Sequence, residues 1–324
     1  MRASKLGSTP LGRPTGIALD ATGNTLLCDF ANHRILKVSE AGEVTVLAGA
    51  EQGFSGPLDV EVDRVGNVIV AEAHGHCIRQ IAPSGKVTTL CGGTRGSADG
   101  TGAAASFDRP AGLAIDASGT IFVADFGNHT IRSVHPKSGS VSTVAGCAGE
   151  AGSLDAKCGS ARFRGPHGLA YDGRTGDLFV TEVGNHAIRK ISGTGMVSTV
   201  AGGASQGGTV DGIGPAARFN HPTGVAVDRD GSLVVADFLG NTIRRVTTAG
   251  AVSTIAGGPN GFADGVATSA LFDGPHGVAV DSEDGRIVLS DSFRVRVLTP
   301  SGRVTTLAGE ETGGFVLKWR HLGK

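Results

Sequence analysis

Short runs of apolar and β-branched residues, separated by clusters of Gly, Asp and Asn, recur along the chain. One stretch shows the pattern fully: "PAGLAID" (110–116), "GTIFVAD" (119–125), "HTIRSV" (129–134) and "GSVSTVAG" (139–146). Runs that are short, alternating or β-branched, and bounded by turn residues are typical of β-strands. We therefore predict four strands in this stretch. No segment has a helical period, so we expect no helix longer than about two turns.

This four-run unit is repeated six times. Its first run opens with a proline in each copy, and neighbouring copies start 43 to 56 residues apart. The six prolines are Pro14, Pro57, Pro110, Pro166, Pro222 and Pro275. Four-stranded units of this length, repeated six times, predict an all-β fold: a six-bladed β-propeller with the first strand of each unit innermost.

The phase of the repeat divides the chain into a lead-in (1–13), a propeller (14–309) and a C-terminal tail (310–324). Because the first unit opens at its first strand and the last closes after its fourth, each blade is expected to come from one continuous repeat. No strand would then be exchanged between the termini. The tail "GGFVLKWRHLGK" could add an outer strand or pack beneath the ring.

The motif "P-x-G-L-A-x-D", followed by "V-A-D-x-G-N-H-x-I-R-K", resembles the NHL repeat, which is named for an Asn-His-Leu core. The resemblance extends over residues 14–309. Here the Asn-His pair is followed by Arg34, Thr130 or Ala187 instead of leucine, and the last two repeats lack the pair. The resemblance implies a six-bladed propeller. It leaves the function open, since NHL repeats occur in protein-binding modules, RNA-binding modules and a few lyases.

Residues that recur in register are expected to hold the scaffold. The acids ending the first strands are predicted to form Asx turns, and the acids ending the second strands to pair with third-strand arginines. An aromatic residue three positions before the opening proline is expected to wedge between blades. His33, His129 and His186 of the Asn-His pairs are interpreted as turn and packing residues. The second-strand acids are Asp29, Glu72, Asp125, Glu182, Asp237 and Asp291; the arginines are Arg79, Arg132, Arg189, Arg244 and Arg296, with Leu36 in the first repeat.

The positions just after the opening prolines differ from copy to copy. An antiparallel meander puts the start of the first strand and the end of the second at the same end of a blade, nearest the central channel. Loops on a rigid scaffold are where binding residues usually lie. The predicted ligand-binding residues at this channel mouth are Thr15, Asp59, Ala111, His167, Thr223 and His276, where Asp59 follows Leu58 and replaces the glycine of the other copies.

Three of these residues suggest a metal site. Asp59, His167 and His276 belong to blades 2, 4 and 6, and their side chains are metal ligands by type. Some NHL-like lyases bind zinc through channel histidines, so a divalent metal at the channel is one hypothesis, and no other cofactor is expected. The alternative is that both histidines are satisfied by backbone and water. As free histidines they are expected to titrate between about pH 5 and 8.

A second alternation distinguishes odd from even blades. Phe30, Phe126 and Phe238 follow the second-strand acid in blades 1, 3 and 5. If these rings are exposed, they form an apolar circle around the mouth that suits a partner protein or an apolar ligand. If they are buried, they pack the loops.

Composition narrows the class of partner. A net charge of −1 provides no basic footprint for phosphate backbones, and one Trp and one Tyr leave few stacking platforms, so nucleic acid is disfavoured. The start has no apolar signal-peptide core and no run is long enough to span a membrane, so we expect a soluble protein, with the cytoplasm favoured. Cys147 and Cys158 flank one loop and are either a disulfide or two thiols.

No nucleophile–base set, His/Cys zinc spacing or phosphate loop stands out from the repeat pattern. We therefore interpret the chain as a non-catalytic scaffold that binds a protein partner or a small ligand at the channel-mouth face. The alternative is a metal-assisted lyase or hydrolase with its site at the central channel.

Overall fold

The computed structural model describes residues 9–203 and 206–309, whose strands form six antiparallel sheets. Blade 1 contains β1 (Pro14–Leu19), β2 (Thr25–Asp29), β3 (Arg34–Val38) and β4 (Val44–Ala48). Blade 2 contains β5 (Pro57–Val62), β6 (Val68–Glu72), β7 (Cys77–Ile81) and β8 (Val87–Gly92). Blade 3 contains β9 (Gly100–Thr101), β10 (Pro110–Ile115), β11 (Ile121–Asp125), β12 (Thr130–Val134) and β13 (Ser140–Ala145).

The other three blades follow the same order. Blade 4 contains β14 (Pro166–Asp172), β15 (Asp177–Glu182), β16 (Ala187–Ile191) and β17 (Val197–Gly202). Blade 5 contains β18 (Gly212–Ile213), β19 (Pro222–Val227), β20 (Leu233–Asp237), β21 (Thr242–Val246) and β22 (Ala251–Gly257). Blade 6 contains β23 (Gly265–Val266), β24 (Pro275–Val280), β25 (Ile287–Asp291), β26 (Arg294–Leu298) and β27 (Arg303–Ala308).

The proline-initiated strands make the inner wall of a closed ring. Each of β1, β5, β10, β14, β19 and β24 contacts the corresponding strand of both neighbouring blades. Sequence copies and blades correspond one to one, so the predicted all-β, six-bladed propeller is confirmed.

Three blades are larger than predicted. In blade 3, β9 pairs with Ser140 and Val141 at the start of β13, and β18 and β23 extend blades 5 and 6 in the same way. The expectation of four strands in every blade is therefore wrong for these three. The chain entering each of them runs along its outer edge, where the last strand has backbone groups still to pair. Each of the strands β9, β18 and β23 has only two residues, the first of them glycine. So short a run shows no alternation of apolar and polar residues, and the sequence therefore did not reveal these strands.

Helical structure in the described residues is limited to single 3₁₀ turns, as expected. They span Phe30–Asn32, Ala50–Gln52, Gly102–Ala104, Phe126–Asn128, Cys158–Ser160, Gly214–Ala216, Phe238–Gly240 and Ala267–Ser269. None of these helices is long and apolar enough to cross a membrane.

The apolar core lies between blades. Six clusters of buried side chains each join two neighbouring blades; the one between blades 2 and 3 contains Ile78, Leu113 and Val123. The predicted wedge residue Phe107 is fully buried in that cluster. The equivalent residues in the next three clusters around the ring are Phe163, Phe219 and Phe272. Buried phenylalanines of this kind lock each blade to the next by apolar contact.

Packing, not strand exchange, joins blade 6 to blade 1. Val288 and Val295 of blade 6 share a buried cluster with Leu36 of blade 1, and Ser290 Oγ donates a 2.5 Å hydrogen bond to the Thr15 carbonyl. Within the described residues, neither sheet contains a strand from the other blade. The prediction for the tail falls on residues 310–324, which lie outside the described residues.

Candidate functional site

The Asn-His turns join neighbouring blades. His129 has a left-handed backbone (φ 59°), and its Nδ1 accepts a 3.1 Å hydrogen bond from the Gly165 amide of blade 4. The same bond joins His33 to Gly56 (2.9 Å), His76 to Arg109 (3.1 Å), His186 to His221 (3.2 Å) and, through an amide oxygen, Asn241 to Gly274 (3.0 Å). His33, His129 and His186 are scaffold residues, as predicted, and His76 has the same role. The bond across blades was missed because periodicity describes one repeat at a time.

The charged residues that recur form buried clusters. The Arg132 side chain is fully buried and bonds Asp125 at 2.8 Å. The guanidinium carbon of Arg132 lies over the Phe107 ring, 5.2 Å from the ring centre. Its second guanidinium nitrogen bonds Asp99 at 2.7 Å, an acid that the sequence pattern did not reveal. Equivalent pairs are Glu72–Arg79, Glu182–Arg189, Asp237–Arg244 and Asp291–Arg296, with Asp29–Arg34 in blade 1. The predicted pairing is therefore confirmed as a scaffold feature.

Five of the six first-strand acids form the predicted Asx turn, and Asp228 is the exception, since the backbone amide that bonds its carboxylate is that of the adjacent Arg229. Asp116 Oδ1 accepts hydrogen bonds from the amides of Ser118 (2.8 Å) and Thr120 (2.9 Å). All five cysteines are free thiols, including Cys147 and Cys158. Of the two alternatives for that pair, the structure has the thiols.

The six predicted mouth residues fall into two groups. Thr15, His167 and His276 line one cavity at the mouth of the channel. Ala111 is fully buried, and Thr223 is buried with its hydroxyl donating to the His276 carbonyl at 2.9 Å. In blade 2 the first-strand residue that lines the cavity is Leu58, and its neighbour Asp59 is turned into the gap between blades.

The mouth cavity has a volume of about 500 Å³, counting the solvent at its opening. Its walls are largely apolar, and half-buried Phe30 and Phe126 form two of them. Phe238 lies just behind, with its ring 5.9 Å from that of His276. The odd-blade phenylalanines are thus neither fully exposed nor fully buried. The remaining lining residues are Arg13, Leu58, Ala73, His74 and Arg109.

Two histidines form the floor of this cavity. The rings of His167 and His276 are 5.0 Å apart and meet edge to face. Burial lowers the pKa of His167 to about 4 and lowers that of His276 well below its usual range, where the neighbouring His167 and Arg13 act in the same direction. Both rings are therefore neutral at pH 7. The expected titration between pH 5 and 8 is wrong, because sequence alone did not show how deeply these rings are enclosed.

Asp59 has a different role from the histidines. Its carboxylate accepts a 2.8 Å hydrogen bond from the Leu113 amide of blade 3, and burial raises its pKa to about 7. Glu61, on the same side of β5 two residues later, has its pKa raised to about 8 by burial and by the charge of Asp59. The sequence reasoning missed Glu61. In the part of the chain that the structure describes, no group of three or more His, Cys, Asp or Glu side chains is arranged to hold a metal. Metal binding at Asp59, His167 and His276 stays a prediction.

Comparison with known proteins shows what the repeat is similar to. The sequence profile described as "NHL repeat" matches residues 107–132, 163–191 and 219–245, which fall in blades 3, 4 and 5. The chain is 29% identical to NHL repeat-containing protein 2 of Bos taurus over 356 aligned positions, covering 95% of this chain and 43% of that one. The chain spans less than half the length of the curated relatives it matches. The chain is therefore a six-bladed β-propeller in which segments of blades 3, 4 and 5 are similar to the NHL repeat.

Solved structures with the same fold have names that describe different activities. An auxiliary nutrient binding protein from Bacteroides ovatus superposes with a TM-score of 0.71 at 17% identity, covering 92% of this chain and 70% of that one. Virginiamycin B lyase from Staphylococcus aureus superposes with a TM-score of 0.60 at 16% identity, covering 94% and 88%. At these identities the likeness concerns the fold alone.

Proposed function

We propose that this propeller is a non-catalytic binding scaffold whose ligand or partner docks at the channel-mouth face. The observation that carries the proposal is the mouth cavity, which is concave, largely apolar and lined by side chains that differ from blade to blade. Small-molecule sites typically combine an apolar concavity with a few placed polar groups. The residues that recur in every blade are engaged in turns and cross-blade bonds, so the variable residues at the mouth are available for recognition.

The test is a fragment screen by ligand-observed NMR on the full chain, repeated with two tryptophan variants. Leu58→Trp fills the mouth cavity, and Ala117→Trp is the matched control in the cavity formed by Val62, Arg64 and Tyr171 at the other ends of the inner strands. We expect hits to be lost with Leu58→Trp and kept with Ala117→Trp. Hits that survive Leu58→Trp but disappear with Ala117→Trp would place binding on the opposite face.

A second candidate function is a lyase or hydrolase, metal-assisted, at the same channel. It is favoured by the two neutral imidazoles 5.0 Å apart on the cavity floor, since a neutral histidine can accept a proton or bind a metal. The test is the metal content of the purified protein after metal-replete expression. Stoichiometric zinc, iron or calcium that is lost with His167→Ala plus His276→Ala would favour the enzyme, and its absence would favour the scaffold.

A further inference from the structure

We propose that the mouth cavity binds a small free carboxylic acid with an apolar or aromatic body. This inference rests on the binding function proposed above and adds the chemical class of the ligand. It follows from three properties of the lining: the sign of its charge, the way Arg109 is held, and its apolar walls.

The charge of the lining has one sign. The described residues that line the cavity include Arg13 and Arg109 and the three histidines His74, His167 and His276, and none of them is Asp or Glu. Guanidinium groups stay protonated in proteins, whereas the two floor histidines are neutral at pH 7. The fixed positive charge of the cavity therefore comes from the two arginines.

Arg109 is held in place but keeps donors for a ligand. Its backbone amide bonds His76 Nδ1 at 3.1 Å, and its guanidinium lies over the Phe126 ring at 5.2 Å. Its Nε is 3.6 Å from Asp108, a carboxylate that also bonds Arg95 at 3.0 Å. One carboxylate thus faces two guanidinium groups. A planar guanidinium with five donors is suited to bind a further carboxylate in a two-point contact.

The rest of the lining selects an apolar body. Phe30, Phe126, Leu58 and Ala73 offer carbon surface, and an apolar group placed against them leaves no polar group unpaired. The floor residue His276 is 6% exposed and neutral, so it adds no charge that a second carboxylate would need. The lining therefore matches one carboxylate at Arg109 with its apolar part between the phenylalanines.

The experiment uses hydrocinnamate as the probe, with its neutral amide and acetate as the matched compounds. Binding to the full chain is measured by NMR titration. We expect hydrocinnamate to bind in about the millimolar range, as its size allows. Its amide, which lacks the charge, and acetate, which lacks the apolar body, should each bind at least about tenfold more weakly. Equal binding of the acid and the amide to the unaltered protein, or no binding of the acid, would overturn the proposal.

Two variants assign the contact. Arg109→Gln should weaken hydrocinnamate about tenfold and leave the amide nearly unchanged, because only the acid uses the charge. Arg64→Gln, in the opposite-face cavity, should change neither. Leu58→Trp separates this proposal from the one before it. If Leu58→Trp abolishes fragment binding but acids are not preferred over amides, the mouth remains the binding site and only the ligand class is wrong. If acids are preferred but bind equally well to Leu58→Trp, the site itself is wrong.

Discussion

Replacing Arg132 by leucine should be among the most damaging single changes to this scaffold. The guanidinium has no exposed surface and bonds four groups: the carboxylates of Asp125 and Asp99 and the carbonyls of Ser106 and Ala98. Leucine fills part of the volume but provides no donor. Asp125, also fully buried, would keep only its bonds from the Asp108 amide and Asn128.

The magnitude follows from that loss. Removing one partner of a buried ion pair costs about 3–5 kcal/mol, because the other charge remains buried without its partner. We expect Arg132→Leu to lower the free energy of unfolding by that amount in urea denaturation followed by circular dichroism. Adding Asp125→Asn to the same chain should recover part of the loss, since the uncompensated charge is then removed.

Asp99→Asn is the matched control. Asp99 bonds the same guanidinium, but about half of its side chain is exposed, so its ion pair is screened by solvent and should contribute no more than about 1 kcal/mol. A loss in Arg132→Leu no larger than that in Asp99→Asn would contradict this expectation. That result would mean that the apolar core, not the buried charge pair, sets the stability of the blade.

Three further outcomes are expected in the same denaturation assay. His129→Ala should cost about 1 kcal/mol while His129→Asn stays near neutral, since Asn241 makes the equivalent cross-blade bond; equal losses would contradict this role. Burial lowers the pKa of His129, so at this position the unfolded state binds more protons, and the contribution of His129 to stability is fully present above pH of about 6.5 and is lost as pH falls below it. The stability of the unaltered protein relative to His129→Asn should therefore fall below pH of about 6.5, and a difference that does not change with pH would refute the linkage. Gly112→Ala should destabilise strongly because its Cβ would lie 2.1 Å from a blade 4 carbonyl, whereas Gly258→Ala, with open space around it, should not; similar effects would argue against close inner-strand packing.

The repeat made the scaffold predictable. Alternating runs identify strands, and charges that recur in register identify pairs such as Asp125 with Arg132, because each blade makes the same local contacts. Position along the meander was also enough to place Thr15, His167 and His276 at one cavity. These features depend on interactions within one repeat or on the order of its strands.

Contacts between repeats were harder to predict. Asp99 lies in a glycine-rich linker, and it meets Arg132 only because that linker runs along the outer edge of the next blade. Arg13 and Arg109 were missed although a signal exists. The residue before the opening proline is Arg13, Arg109 and His221 in the odd blades and glycine in the even ones, which is the alternation shown by the odd-blade phenylalanines.

If the mouth cavity is the binding site, a crystallographic fragment soak of the full chain should locate ligands there. We expect fragment density between Phe30 and Phe126, with carboxylate-bearing fragments directed at Arg109. Density that gathers instead at the cavity formed by Val62, Arg64 and Tyr171, with the mouth holding only solvent, would contradict this placement of the binding site.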